Sequence, residues 1–283
     1  MTAQENIRKY FREVMDKHKL PPLPVVASKV LSMIEDPNLS IREICRLLAD
    51  DPALAARVLA ISRSLHYAQR SAPTSLQRAV QVLGLRNLRT VVIAAATQGL
   101  FSMSNNISEN LWSHSLAVAL ACRALSERVG YPETEQAFLT GLLHDVGEMI
   151  LIHGDPQGFE RVVREVQQNK VSLLVVEKRT YVFDHAFIGF TLLDSWNLDP
   201  EMGQAILTHH DGAENGNPKE LATILASANY LSYKAGLGFF SEPEAPPPEV
   251  KSAFGCDSDE AFAAAVQELR EAFEAEKALF QPV

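Results

Sequence analysis

Five of the chain's eight histidines and one aspartate stand where their side chains could converge: His114, the adjacent pair His144-Asp145, His185, and the pair His209-His210. Neutral imidazole and carboxylate together suit iron, manganese, zinc or nickel, and a carboxylate can bridge two ions. A water held between two such ions becomes acidic enough to attack a phosphorus centre. Each residue also has a plainer account. His114 lies in line with Leu111, Val118, Ala121 and Leu125, so its ring points inward along an apolar stripe, where a hydrogen-bonded core histidine is the simpler reading. His185 follows Asp184 at a helix start, which predicts a solvent-exposed ring. His209 and His210 end a helix, where histidine meets the carbonyl end of the dipole favourably. Asn229 reads alone as a satisfied buried amide. Taken together the plain accounts are less comfortable, because buried imidazoles are costly unless partnered.

The elements that must hold these residues carry helix signals, and strand signals are scarce. Ser40 followed by Glu43 is a capping box opening a helix through Leu48. Asp51-Pro52 supplies an N-cap and a first-turn proline for the next, with Leu54, Val58, Ile61 and Leu65 on one face. Ser75 caps a helix to about Leu83, Gly84 stops it, and a second helix follows from about Asn87 to Thr97. That second helix is apolar nearly all round, so it belongs in a core and not in a DNA groove. Beyond it, Ser108 is expected to cap a helix ending near Gly130, and Thr134 the helix carrying His144-Asp145, with Gly147 ending the turn. Ser172, Asp184, Asp199-Pro200 and Asn217-Pro218 mark four further starts, the last predicting a helix through Tyr233.

Composition changes mark boundaries. The Asn/Ser-rich stretch Phe101 to Ile107 divides the chain, and Ser241 to Glu249 has the composition of a stiff acidic linker. The expected organisation is therefore 1–103, an N-terminal helical subdomain; 104–240, a second helical subdomain; and 241–283, a Pro/Glu linker with an amphipathic tail helix. In that tail Phe262, Val266, Leu269, Phe273 and Leu279 keep helical register.

The 283 residues, 47% of them apolar, can fill an ordinary core. A net charge of −9 argues against a binder of nucleic-acid backbone, so no DNA partner is expected. No segment reads as a bilayer-spanning run, the N-terminus lacks the apolar stretch of a secretory signal, and three scattered cysteines fit reduced thiols. The expectation is a cytoplasmic protein without a membrane partner.

The ordered set His114, His144-Asp145, His185, His209-His210 and a late polar residue at Asn229 resembles the HD superfamily of metal-dependent phosphohydrolases. Over about Leu20 to Tyr233 the chain resembles the HDOD family more closely. The likeness rests on Leu20-Pro-Pro-Leu-Pro-Val, Asp50-Asp51-Pro52, Ala79-Val-Gln-Val-Leu-Gly-Leu, Gly141-Leu-Leu-His-Asp-Val-Gly, Asp184-His185-Ala, and His209-His210 after Asn197-Leu-Asp-Pro. The resemblance implies an all-α fold in which an N-terminal helical bundle packs on an HD-like helical core. It implies a bacterial signalling module acting through contacts with signalling proteins or neighbouring signalling domains, around a vestigial or structural metal pocket. The implied ligands are His114, His144, Asp145, His185, His209 and His210, with iron, manganese, zinc or nickel and no organic cofactor. The alternative is an active phosphohydrolase acting on a nucleotide or cyclic dinucleotide. In that case Asp145 is the catalytic residue bridging two ions, with His114 and His144 on one and His185, His209 and His210 on the other.

Departures from the pattern weigh against turnover. Asn229 stands where active enzymes have aspartate, Asn110 where related cyclic-di-GMP phosphodiesterases have a metal-site glutamate, and Glu148 where they have a lysine. Asp211 to Pro218 also lacks their Gly-Tyr-Pro signature. A nucleotide ligand without turnover, and a homodimer formed through the tail, remain open on this reading.

Overall fold

The computed structural model describes residues 21–34, 36, 39–64, 66–67, 72–98, 106–211, 216–240 and 243–280, and among them the secondary structure is helical, with no strand. The chain is all-α. It divides into two compact units: residues 23–109 with 270–280, and residues 110–269 with 21–22.

In the N-terminal unit the helices are α1 (Val25–Ile34), α2 (Ile41–Ala49), α3 (Pro52–Ile61) and α4 (Leu76–Gln98). The short-range start signals are realised. Ser40 and Glu43 form the reciprocal capping box, and Asp51 accepts from the Leu54 N–H. Leu54, Val58 and Ile61 are buried on one face of α3, while Leu65 lies outside the described residues. Gly84, at φ 68° and ψ 170°, breaks α4 where the glycine stop was expected, a backbone turn that favours a residue without Cβ. The arm after it contributes Leu88, Val92 and Ile93 to the core, and α4 packs against α1, α2 and α3.

One expectation needs correction here. At 23 residues α4 is long and apolar enough to pass a membrane-span test by length and composition, contrary to the sequence reading. The break at Gly84 leaves an arm shorter than the roughly 20 residues a bilayer requires, and its side chains fill the unit's own core.

The second unit is built from α5 (Asn106–Arg128), α6 (Thr134–Leu143), α7 (Val146–Gly154), α8 (Pro156–Asn169), α9 (Leu173–Tyr181), α10 (His185–Ser195), α11 (Pro200–Thr208) and α12 (Leu221–Ser232). The first residues of α5 and the last of α14 (Asp259–Glu276) group with the N-terminal unit. Several starts differ from expectation. Ser108 is not a cap but a buried residue inside α5, because the helix already begins at Asn106. Asn217-Pro218 opens a turn and the helix follows at Leu221; it ends at Ser232 and passes into a π turn, Tyr233–Leu237. The acidic Pro-rich stretch is not all linker either, since Pro248–Ala253 forms a short helix, α13.

Contacts among these helices position the site. α10 packs against both α7 and α11, and α11 against α6 and α12. At Gly141 an added Cβ would lie 2.8 Å from the Ala119 Cα, so α6 approaches α5 at the distance only a glycine allows. At Gly147 an added Cβ would collide with the carbonyl of His185. Gly147 is therefore not a helix stop. It lies in the first turn of α7 and lets that turn touch the start of α10.

Candidate metal centre

His144 and Asp145 form the two-residue turn between α6 and α7, so the pair is presented by a corner and not by a continuing helix. Around it gather His114 from the middle of α5, His185 from the first position of α10, and His209-His210 from the end of α11. All six predicted residues are brought together. The Asp145 carboxylate sits at the centre, with one oxygen for each side. Oδ2 faces His144 Nε2 at 3.1 Å and His114 Nε2 at 3.5 Å. Oδ1 faces His209 Nε2 at 3.4 Å and His185 Nε2 at 3.5 Å. His210 completes the second side, its Nε2 2.8 Å from His185 Nε2.

The far nitrogen of four rings is fixed by an acceptor. His144 Nδ1 donates to the Gly141 carbonyl at 2.8 Å, and His209 Nδ1 to the Ile206 carbonyl at 2.6 Å, each within its own helix end. His114 Nδ1 donates to the Leu237 carbonyl at 2.9 Å, which the π turn supplies. A carbonyl can only accept, so these tautomers are set, and each Nε2 keeps a lone pair aimed at Asp145. His185 differs. Its Nδ1 lies 2.7 Å from Glu177 Oε2, which also accepts the His185 backbone N–H at 3.1 Å.

This arrangement fits a divalent cation. The Nε2 atoms of His144 and His209 are buried without a hydrogen-bond partner, facing a carboxylate that has only lone pairs to offer. Lone pairs opposed at such distances repel unless a positive charge lies between them, and anchored imidazoles with free Nε2 atoms are the usual form of a ligand shell. Among the described residues three groupings could hold a metal ion: His114, His144 and Asp145; Asp145, His185, His209 and His210; and Glu148, Glu177 and His185.

The electrostatics follow from the same contacts. Burial alone would raise the Asp145 carboxyl, but His144, His209 and His185 around it hold it well below the usual range. Burial and the neighbouring His144 push His114 down to about 4, keeping it neutral and able to ligate. Burial works to lower His185 as well, but the Glu177 carboxylate overrides it and raises the ring to about 10, so without a cation it carries a proton. Glu148 is lifted well above the carboxylate range by burial and by Asp145. Its carboxyl lies 3.9 Å from His185 Nδ1.

Two further differences concern single residues. The His185 ring is fully buried, not solvent-exposed, because α7 and α11 cover the start of α10. Glu177 was not among the predicted residues. Its signal was present: Leu173, Val176, Glu177 and Tyr181 share the buried stripe of α9, and a carboxylate on such a stripe requires a partner.

A cavity of about 690 Å³ opens onto the centre. Its lining includes Asp145, His114, His210 and Asn229, together with Lys170, Phe239 and Phe240. Asn229 is 6% exposed and neutral, so it brings no anion to the Oδ2 side, while the Glu148 and Glu244 carboxyl groups line other parts of the cavity.

The model of the HDOD domain matches residues 20–212, more than half of the chain. The chain belongs to the HDOD family. An HDOD domain protein of unknown function from Geobacter sulfurreducens is similar over 99% of both chains, with 28% identity and a TM-score of 0.74. A Shewanella amazonensis protein provisionally called a phosphohydrolase is 25% identical, covering 94% of this chain and 97% of that one, with a TM-score of 0.71. An uncharacterised protein of Treponema pallidum is 22% identical over 91% of this HDOD chain, which spans only 50% of that relative's length. Ribonuclease Y of Geobacter sulfurreducens matches 130 residues at 27% identity, 46% of this chain and 19% of the enzyme.

Proposed function

We propose that this HDOD chain is a bacterial signal-transduction module that works through contacts with signalling proteins or neighbouring signalling domains, built around a retained metal pocket. The observation that carries the reading is the split between ligands and edge. The imidazoles of His114, His144, His185, His209 and His210 and the Asp145 carboxylate keep the geometry of a ligand shell, while the cavity wall that would complete it has the Asn229 amide. An amide oxygen is a weak partner for a divalent ion, so the pocket favours holding a cation over using it. The Treponema relative continues well beyond the matched region, which suits a module joined to other domains.

One observation favours a second reading, that of a metal-dependent nucleotide or cyclic-dinucleotide phosphohydrolase. The cavity reaches Asp145 and His210 directly and is large enough for a small phosphorylated ligand. The likeness to ribonuclease Y over 130 residues points the same way. Here a bound iron, manganese, zinc or nickel ion would acidify water. Asp145 would span both sides of the centre, the anchored histidines would hold their rings in place, and Lys170 would meet a phosphate at the cavity wall.

Elemental analysis of the purified protein, with a nucleotide and cyclic-dinucleotide hydrolysis screen in added Mn²⁺ or Fe²⁺, separates the two. The module reading expects a bound metal, lost in Asp145→Ala, and no turnover. Metal-dependent turnover abolished by Asp145→Ala would overturn it.

A further inference from the structure

The two sides of Asp145 are not equivalent. On the Oδ2 side stand two imidazoles, His114 and His144, each fixed by a neutral backbone carbonyl. On the Oδ1 side stand three, His185, His209 and His210, and behind His185 lies Glu177, 0% exposed. One Glu177 oxygen accepts both the ring and the backbone N–H of His185, so it fixes the ring's tautomer and the first residue of α10 together. A carboxylate in that position makes the opposite ring nitrogen a stronger donor to a cation than a carbonyl does.

Charge balance points in the same direction. Buried charge is tolerated where it is compensated nearby. One divalent ion is matched by Asp145 and Glu177. Two ions would need two further negative charges, and the grouping on the Oδ2 side, His114, His144 and Asp145, contains no second carboxylate, since the nearby Glu148 groups with Glu177 and His185 instead.

We infer that the centre holds a single divalent ion per chain, on the Oδ1 side between Asp145, His185, His209 and His210, with Glu177 as the positioning residue that supplies its second compensating charge. This inference rests on the metal reading above and sharpens it.

Titration of the metal-free full chain with Co²⁺, followed by its visible spectrum and by competition with Zn²⁺, tests this. The expected result is one ion per chain. His209→Ala loses binding. His114→Ala keeps the Co²⁺ spectrum and holds affinity within about threefold. Glu177→Gln, which keeps the size and an acceptor but not the charge, weakens affinity about 10- to 100-fold. Two ions per chain of similar affinity would overturn the inference, as would His114→Ala weakening binding as much as His209→Ala, or unchanged affinity in Glu177→Gln. Stoichiometry and His114→Ala decide the matter even if Glu177→Gln does not fold. Absence of any binding by the wild-type chain would remove the underlying metal reading and the inference with it, a different failure from binding with the wrong stoichiometry.

Discussion

Among the described residues of 23–109 the buried polar side chains are uncharged: Ser62, Ser64, Thr90, Thr97, Gln98 and Ser108. Those of 110–269 include His114, Asp145, Glu148, Glu177, His185 and His209. Hydroxyls can be satisfied at home. Thr97 donates to the Ile93 carbonyl and Ser62 to the Leu59 carbonyl, each at 2.7 Å within its own helix. A buried carboxylate or imidazole needs partners from other helices, so the placement of α6, α7, α9, α10 and α11 is tied to the cluster they share. The contrast separates residues 23–109, held by apolar packing, from a unit whose packing also serves a set of charges; the segment 270–280 that joins the N-terminal unit brings it the buried Glu276.

The largest expected effect probes the first half of that contrast. Leu88 is fully buried in α4, and Leu88→Ala removes its packing at a cost of about 2–5 kcal/mol. Denaturant unfolding should show that loss while the metal bound per folded chain is unchanged. A parallel fall in metal content would break the comparison.

The second test addresses the charged cluster. In the metal-free chain His185 is raised from 6.5 to about 10, chiefly by Glu177 acting against burial. A group whose folded value lies above its unfolded one stabilises fully below the unfolded value, and loses that contribution as pH rises through the folded one. Glu148, also raised, acts in the same direction. The melting temperature of the metal-free chain should therefore fall between pH 6.5 and about 10, and Glu177→Gln should flatten that decline. A flat profile in the wild-type chain would contradict the proton that Glu177 places on His185.

Legibility in the sequence followed the range of the interaction. The caps at Ser40, Asp51, Asp184 and Asp199 were readable because each is closed by an N–H two or three residues away. The six residues of the centre were readable as a set because imidazoles and an aspartate are conspicuous in helical context, yet their distances were not. Glu177 escaped notice because glutamate is ordinarily a surface residue; its register with Leu173, Val176 and Tyr181 was the signal, and the packing of α9 shows that its partner is His185. The anchor of His114 could not be read at all, since it is the backbone carbonyl of Leu237, 123 residues along the chain, in a π turn that followed an expected helix. Ser108 and Asn217-Pro218 were misplaced because capping residues also occur one turn inside or ahead of a helix, where local signals do not distinguish the cases.

The smallest effect compares two aspartates that do the same local work in the two units. Asp51 Oδ1 accepts from the Leu54 N–H at 3.0 Å to cap α3, and Asp184 Oδ1 from the Phe187 N–H at 2.9 Å to cap α10. Replacing Asp51 by alanine should cost about 1 kcal/mol, the ordinary loss of an N-cap, with serine in its place restoring most of it. Asp184 has a second task, because its other oxygen pairs with Lys178 at 2.9 Å, from the same helix as Glu177, and its neighbour in the chain is His185. Asp184→Ala should therefore lose a similar stability and also weaken Co²⁺ binding, whereas Asp51→Ala leaves binding untouched. Equal Co²⁺ affinity in the two variants would show that the start of α10 is held by Glu177 alone, and that the cap is as independent of the charges as its counterpart in the N-terminal unit.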